Sequence, residues 1–152
     1  MASSELKICI TFSSGGHYRE ARLASRLLEG DMYYVTFRTP HLEKESETKR
    51  FYFIEHPGRN LFRLIKNAVQ AFRIIRKEKP DVILSTGADV AVPTCIIGKL
   101  FGAKLVYIES GGQVYTPSLS GRLVHRFADL FLVQWEPALK NFPNAVYGGP
   151  LF

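Results

Sequence analysis

No apolar run in the sequence approaches the roughly 20 residues needed to cross a bilayer, so any membrane contact is expected to be peripheral. Cysteine is scarce. Cys9 and Cys95 both sit in apolar contexts and read as buried thiols, which excludes a disulfide framework and makes a reducing cytoplasm the expected compartment. His41, His56 and His125 are not spaced with acids or cysteines as metal ligands are, so no metal and no other cofactor is expected. The opening Met1-Ala2-Ser3-Ser4-Glu5 lacks the charged-then-apolar pattern of a secretory signal, and no internal repeat or low-complexity tract interrupts the chain. Acidic residues are outnumbered, 14 to 20, by lysine and arginine. The net charge of +6 implies an acidic partner: nucleic acid, anionic lipid or a phosphorylated substrate.

What is present fits one domain over residues 1–152. Apolar segments at Leu6 to Phe12, Met32 to Phe37, Phe51 to Glu55, Val82 to Leu84, Leu105 to Ile108, Leu130 to Val133 and Ala145 to Tyr147 read as strands. Helical patterns fall between them at Tyr18 to Leu28, Asn60 to Lys79, Pro93 to Phe101, Leu119 to Phe127 and Ala138 to Phe142. The charged segment Glu43 to Arg50 carries no apolar stripe and reads as an exposed loop or short helix. This alternation predicts an α/β fold, a Rossmann-like doubly wound parallel sheet whose ligands gather at the carboxyl ends of the strands.

In the helix from Asn60 to Lys79, Leu61, Leu64, Ile65, Ala68, Phe72 and Ile75 are expected to form the core stripe. The other faces carry Arg63, Lys66, Arg73, Arg76 and Lys77 around Phe62 and Val69. Such a surface suits docking on an anionic membrane, and equally suits the solvated face of an ordinary crossover helix.

The strand ends carry small polar loops. After the first strand, Ser13-Ser14-Gly15-Gly16-His17 opens a helix. Paired glycines let backbone amides approach an anion at the positive end of the helix dipole, and the histidine adds a titratable ring. The turn is neither a Walker loop, having no Lys-Ser/Thr pair, nor a full G-x-G-x-x-G fingerprint. Arg38 keeps a dinucleotide-binding module open as a weaker alternative. His17 is a candidate general base or phosphate contact; it also fits a helix-start histidine facing water. Glu109 ends a buried strand, where a carboxylate is used, paired or capping a helix. The loops Ser85-Thr86-Gly87, Ser110-Gly111-Gly112 and Gln134 converge on the same sheet edge, while Asp89 fits a helix cap.

Together, Ser14-Gly15-Gly16-His17, Ser85-Thr86-Gly87 with Val92-Pro93, Val106-Tyr107-Ile108-Glu109-Ser110, Leu130 to Trp135, and Tyr147-Gly148-Gly149-Pro150-Leu151 form one ordered pattern. It resembles the membrane-docking subunit of the two-part N-acetylglucosaminyltransferase of the dolichol pathway and its bacterial polysaccharide counterparts. The resemblance implies the acceptor-binding, N-terminal half of a GT-B glycosyltransferase, with a separate donor-binding subunit that completes the UDP-sugar site and covers Leu151 and Phe152. It implies a polyprenyl-diphosphate-sugar acceptor gripped by Ser14, Gly15, Gly16 and His17, with His17 or Glu109 assisting deprotonation of its hydroxyl, and an inverting displacement. A role as a non-catalytic membrane-recruiting scaffold is the alternative. Nucleic acid is not among the partners implied. Eukaryotic members carry an N-terminal membrane helix that is not found in this sequence, which shifts the expected peripheral docking, on the cytoplasmic face, onto Phe62, Arg63, Lys66, Val69, Arg73, Arg76 and Lys77. The turn here reads Ser-Ser-Gly-Gly-His where relatives commonly have Gly-x-Gly-Gly-His.

Overall fold

Strand β1 (Lys7–Phe12) is apolar on both faces because it lies at the centre of the sheet, paired in parallel with β2 (Asp31–Thr36) on one side and β4 (Val82–Gly87) on the other. A computed structural model describes residues 4–152. Among these, the remaining strands are β3 (Phe51–Phe53), β5 (Lys104–Ile108), β6 (Leu130–Val133) and β7 (Val146–Tyr147). The sheet has seven parallel strands in the order β3-β2-β1-β4-β5-β6-β7. Strand order reverses between β1 and β4, the position where doubly wound sheets leave a crevice for ligands.

The helices are α1 (Gly16–Ser25), α2 (Pro40–Glu45), α3 (Leu61–Glu78), α4 (Val92–Leu100) and α5 (Leu119–Val124). α1 and α2 contribute Tyr18, Ala21 and Leu42 to a core layer with Ile8, Ile10, Phe12, Leu84 and Ile108. α3, α4 and α5 supply Ile74, Ile75, Cys95 and Val124 to the opposite layer, against Cys9, Tyr33, Ile83, Leu105 and Phe131. Thr39 caps α2, its hydroxyl accepting from the Leu42 amide at 3.3 Å, so the charged segment begins as a short helix. The segment expected as the helix Ala138 to Phe142 is a 3₁₀ turn over Glu136–Asn141.

α3 departs from expectation in the stripe it buries. Asn60 caps it, Oδ1 accepting from the Arg63 amide, and Lys79 ends it in the left-handed region at φ 49°, ahead of Pro80. Its buried residues are Asn67, Ala71, Ile74, Ile75 and Glu78. Leu61, Leu64, Ile65 and Phe72 are exposed, and of the expected stripe Ile75 is the residue fully in the core. Two polar residues explain the difference. Asn67 Nδ2 donates to the carbonyls of Glu55 (2.7 Å) and Val90 (3.1 Å), so the amide is drawn inward. Glu78 is drawn in at the other end, accepting from Tyr52 Oη and from Lys7 Nζ at 3.2 Å. Asn67 and Ala68 lie about 100° apart around the helix, enough to move a hydropathy-based stripe off the buried one.

Candidate functional site

The turn Ser14-Gly15-Gly16-His17 leaves β1 at the switch point, and Gly15 takes φ 74°, a value that favours glycine. No side chain caps the first turn of α1, and no heavy atom lies within 4 Å of where a Cβ would stand on Gly15 or Gly16. The first-turn amides have no side-chain cap and stand at the positive end of the helix, an arrangement that accepts an oxyanion.

His17 is held against the end of β4. Its Nδ1 lies 2.8 Å from the Thr86 carbonyl, and Thr86 Oγ1 donates back to the His17 carbonyl at 2.7 Å. A carbonyl only accepts, so Nδ1 carries the hydrogen and Nε2 is left with its lone pair. Gly87 completes this clamp at φ 103°; a Cβ there would stand 2.7 Å from Tyr107 Oη and 3.7 Å from His17 Cε1. Ser85 is buried and accepts from the Gly87 amide at 3.1 Å, fixing the turn from beneath.

The ring of His17 lines a cleft of about 690 Å³ walled by Leu61 and Leu64 of α3, Val92, and Leu119 and Leu123 of α5. Asp89, Ser110, Gln113 and Ser118 add polar atoms. The cleft thus joins a histidine and polar side chains to apolar lips, with Leu61 and Leu119 exposed at 67% and 73%.

Glu109 occupies a different environment. It is 1% exposed. Oε1 accepts from the Ser110 amide (3.1 Å) and from Ser118 Oγ (2.7 Å), and Oε2 accepts from the Ser118 amide (3.1 Å). Ser118 Oγ in turn accepts from the Gly121 amide as the cap of α5. Both carboxylate oxygens are spent on tying the loop after β5 to α5, so Glu109 braces this wall of the cleft from inside. Burial also pushes the neighbouring Tyr107 hydroxyl well above the usual tyrosine range, with the Glu109 charge adding to the effect, while Tyr107 donates to Ser120 Oγ at 3.0 Å.

Sequence reasoning missed Glu20. It lies three residues beyond His17 on the inward face of α1, beside Ala21, and is 2% exposed. Oε1 accepts from the Gly111 amide (2.7 Å) and from Gln134 Nε2 (2.9 Å). Gln134 is itself buried, donates to the Glu109 carbonyl and accepts from the Leu151 amide at 3.0 Å. Gly111 and Gln134 are therefore held together through Glu20, whereas Gly112 stays at the loop surface with its amide on Ser110 Oγ. The signal in the sequence was an acid on the apolar stripe of a helix. Leu151 packs on the α1 side of the sheet, and Phe152 is exposed with the Arg19 guanidinium 4.8 Å from its ring centre.

The seven residues expected on the outer face of α3, Phe62, Arg63, Lys66, Val69, Arg73, Arg76 and Lys77, are all exposed. Arg63 and Lys66 pair with Glu55, at 3.9 and 2.8 Å, and Lys77 lies over the Tyr52 ring. Among the described residues no helix is long and apolar enough to cross a membrane, and no group of three or more His, Cys, Asp or Glu is placed to hold a metal.

In fold, the chain is similar to MurG of Acinetobacter baumannii (TM-score 0.68, 18% identity, covering 95% of this chain and 44% of that one). It is also similar to the UDP-N-acetylglucosamine 2-epimerase of Rickettsia bellii (TM-score 0.75, 11% identity, covering 97% and 45%). The expected architecture, a Rossmann-like doubly wound parallel sheet, is borne out, and it corresponds to somewhat under half of each of these neighbours. In sequence it is 36% identical over 85 residues to the human UDP-N-acetylglucosamine transferase subunit ALG14, covering 52% of this chain and 39% of that protein. It is 35% identical over 112 residues to a UDP-N-acetylglucosamine–N-acetylmuramyl-(pentapeptide) pyrophosphoryl-undecaprenol N-acetylglucosamine transferase of Bacillus cereus, covering 72% and 31%. The matched stretches thus span well under half of these relatives. The family model described as "Oligosaccharide biosynthesis protein Alg14 like" matches residues 55–151, which include α3, the Ser85 and Glu109 loops, Gln134 and Leu151, but not the Gly15-Gly16-His17 turn. The chain belongs to the Alg14-like family of oligosaccharide biosynthesis proteins.

Proposed function

We propose that this chain is the acceptor-binding subunit of a heteromeric, inverting glycosyltransferase that moves a sugar from a UDP-sugar, UDP-N-acetylglucosamine or similar, to a polyprenyl-diphosphate-linked sugar. The observation that carries the proposal is His17, whose Nδ1–H is fixed on the Thr86 carbonyl at 2.8 Å and which lines a cleft with apolar lips. A lipid-diphosphate-sugar has three parts, and each meets matching chemistry. The diphosphate suits the uncapped amides of Gly15 and Gly16. The first prenyl units suit Leu61, Leu64, Leu119 and Leu123, and the acceptor sugar suits the polar side chains of Asp89, Ser110, Gln113 and Ser118.

In the reaction, the acceptor hydroxyl oxygen attacks the anomeric carbon of the donor while its proton passes to His17 Nε2. The bond from that carbon to the UDP oxygen breaks, and UDP leaves with the electron pair. Glu109, with both oxygens committed to Ser110 and Ser118, holds the loop and takes no proton. A companion chain supplies most of the donor site and meets the Leu151–Phe152 end. The exposed apolar and basic face of α3 docks peripherally on the anionic cytoplasmic face of the membrane.

The test is turnover of the chain co-purified with its companion, using UDP-N-acetylglucosamine and a short-chain polyprenyl-diphosphate-N-acetylglucosamine. His17→Ala is expected to lower kcat by about 10²- to 10⁴-fold. Turnover near the native value would reject His17 as the base and favour a recruiting scaffold.

A further inference from the structure

Glu20 is the one carboxylate of the site with a buried oxygen that has no partner. Its Oε1 is fully engaged by the Gly111 amide and Gln134 Nε2, whereas Oε2 accepts from nothing. A buried anionic oxygen left unpaired is unfavourable unless something compensates it. That oxygen lies 3.7 Å from His17 Nδ1, one helical turn away on α1. The Nδ1–H of the same ring is directed to the Thr86 carbonyl.

We propose that Glu20 is a positioning residue for His17, its free Oε2 serving as the buried counter-charge for the imidazolium formed when Nε2 takes the acceptor proton. With the ring neutral, Oε2 has only a distant N–H nearby. When Nε2 gains the proton, the ring becomes a cation with a carboxylate beneath it that is shielded from water, where charge interactions are strongest. The partnerless oxygen thus acquires its partner during the reaction and loses it when the proton is released. The inference rests on the functional reading of His17 given above. It also gives the Gly111–Gln134 clamp a purpose: two hydrogen bonds on Oε1 fix the carboxylate so that Oε2 stays aimed at the ring. A Cβ on Gly111 would stand 3.1 Å from Glu20 Oε1 and 3.2 Å from Gln134 Oε1, so a side chain there would press on the clamp itself.

Glu20→Gln isolates the charge. The amide oxygen can still accept from Gly111 and Gln134, while an NH₂ group replaces the oxygen that faces His17. In the complex assayed as above, Glu20→Gln is expected to lower kcat on the order of 10- to 100-fold with KM for both substrates unchanged, because the counter-charge acts only once the ring is protonated. In a His17→Ala background the same substitution is expected to have no further effect, whereas a merely structural role would make the two losses multiply. Glu20→Asp, which retains the charge, should keep a higher kcat than Glu20→Gln, whichever of the two melts lower. A native kcat in Glu20→Gln, multiplying losses, or the reverse order of Asp and Gln would each overturn the pairing. Low turnover in His17→Ala with native turnover in Glu20→Gln refutes only the pairing, whereas native turnover in His17→Ala refutes the functional reading and the pairing with it.

Discussion

From Asn67 to Glu78, α3 turns Ala71, Ile74 and Ile75 into the core and fastens both ends of that stretch with buried polar side chains, whereas from Leu61 to Lys66 no residue of the same helix is buried. The exposed half is the more apolar of the two at its tip, with Phe62 at 82% exposure next to Leu61 and Ile65. Hydropathy alone therefore does not say which part of a helix holds the fold together. Single exposed apolar residues are ordinary, but four within five positions at the lip of a cleft form a surface of the kind that meets lipid or protein. One half of the helix is anchored in the core, and the other is presented to the surroundings.

That division can be broken or sharpened by mutation. The largest effect is expected at Ile75, 1% exposed at the end of the anchored half: Ile75→Ala removes buried methyl groups and should lower unfolding free energy by about 3 kcal/mol, read from denaturant midpoints. Glu78 comes next. Burial alone would raise its carboxyl, but the Tyr52 hydroxyl, the Lys7 ammonium and the Arg50 guanidinium together hold it below the usual carboxylate range. With a folded value below the unfolded one, its contribution is present above about pH 4.3 and is lost as pH falls through the folded value. Glu78→Gln should therefore lower stability by about 1 to 3 kcal/mol at pH 7 and flatten the loss of stability on acidification below pH ~4.3. An equally steep acid loss in the variant would remove Glu78 as the anchor. The smallest effect on folding is expected in the projecting half. Leu61, Phe62 and Ile65 changed together to Ser should leave stability within about 0.5 kcal/mol per site, yet reduce flotation with vesicles of phosphatidylglycerol and phosphatidylcholine at least about tenfold. Unchanged flotation would reject the tip of α3 as the docking surface.

The sheet was legible because its strands are short apolar runs, of which the central β1 and β4 are buried along most of their length and run into Ser13 and Gly87. In a doubly wound sheet the carboxyl ends of such strands fall together, so the sequence pattern itself brings His17, Thr86 and Ser110 to one end of the sheet. Three features escaped, and each for a polar reason. The buried stripe of α3 includes Asn67 and Glu78, so an apolar pattern points to the wrong face. Glu109 was legible as a carboxylate in an unusual place, but whether it faces the cleft or the loop depends on Ser118, nine residues away in sequence. Glu20 falls on the apolar stripe of its helix, a local signal that it turns inward, but the helix alone does not say what the acid meets there. Its partners, Gly111 and Gln134, come from the other half of the chain.

The two thiols, noted first for their scarcity, offer a practical advantage. Burial pushes Cys95 up to about 12 and Cys9 higher still, and neither side chain is exposed, so at neutral pH both are inert toward alkylating reagents. The native chain is in effect a background-free host for site-directed labels. A single Phe62→Cys substitution would put a spin or fluorescent probe on the tip of α3 without first removing any native cysteine, and its quenching by lipid-borne or water-borne agents would read the depth of that helix directly.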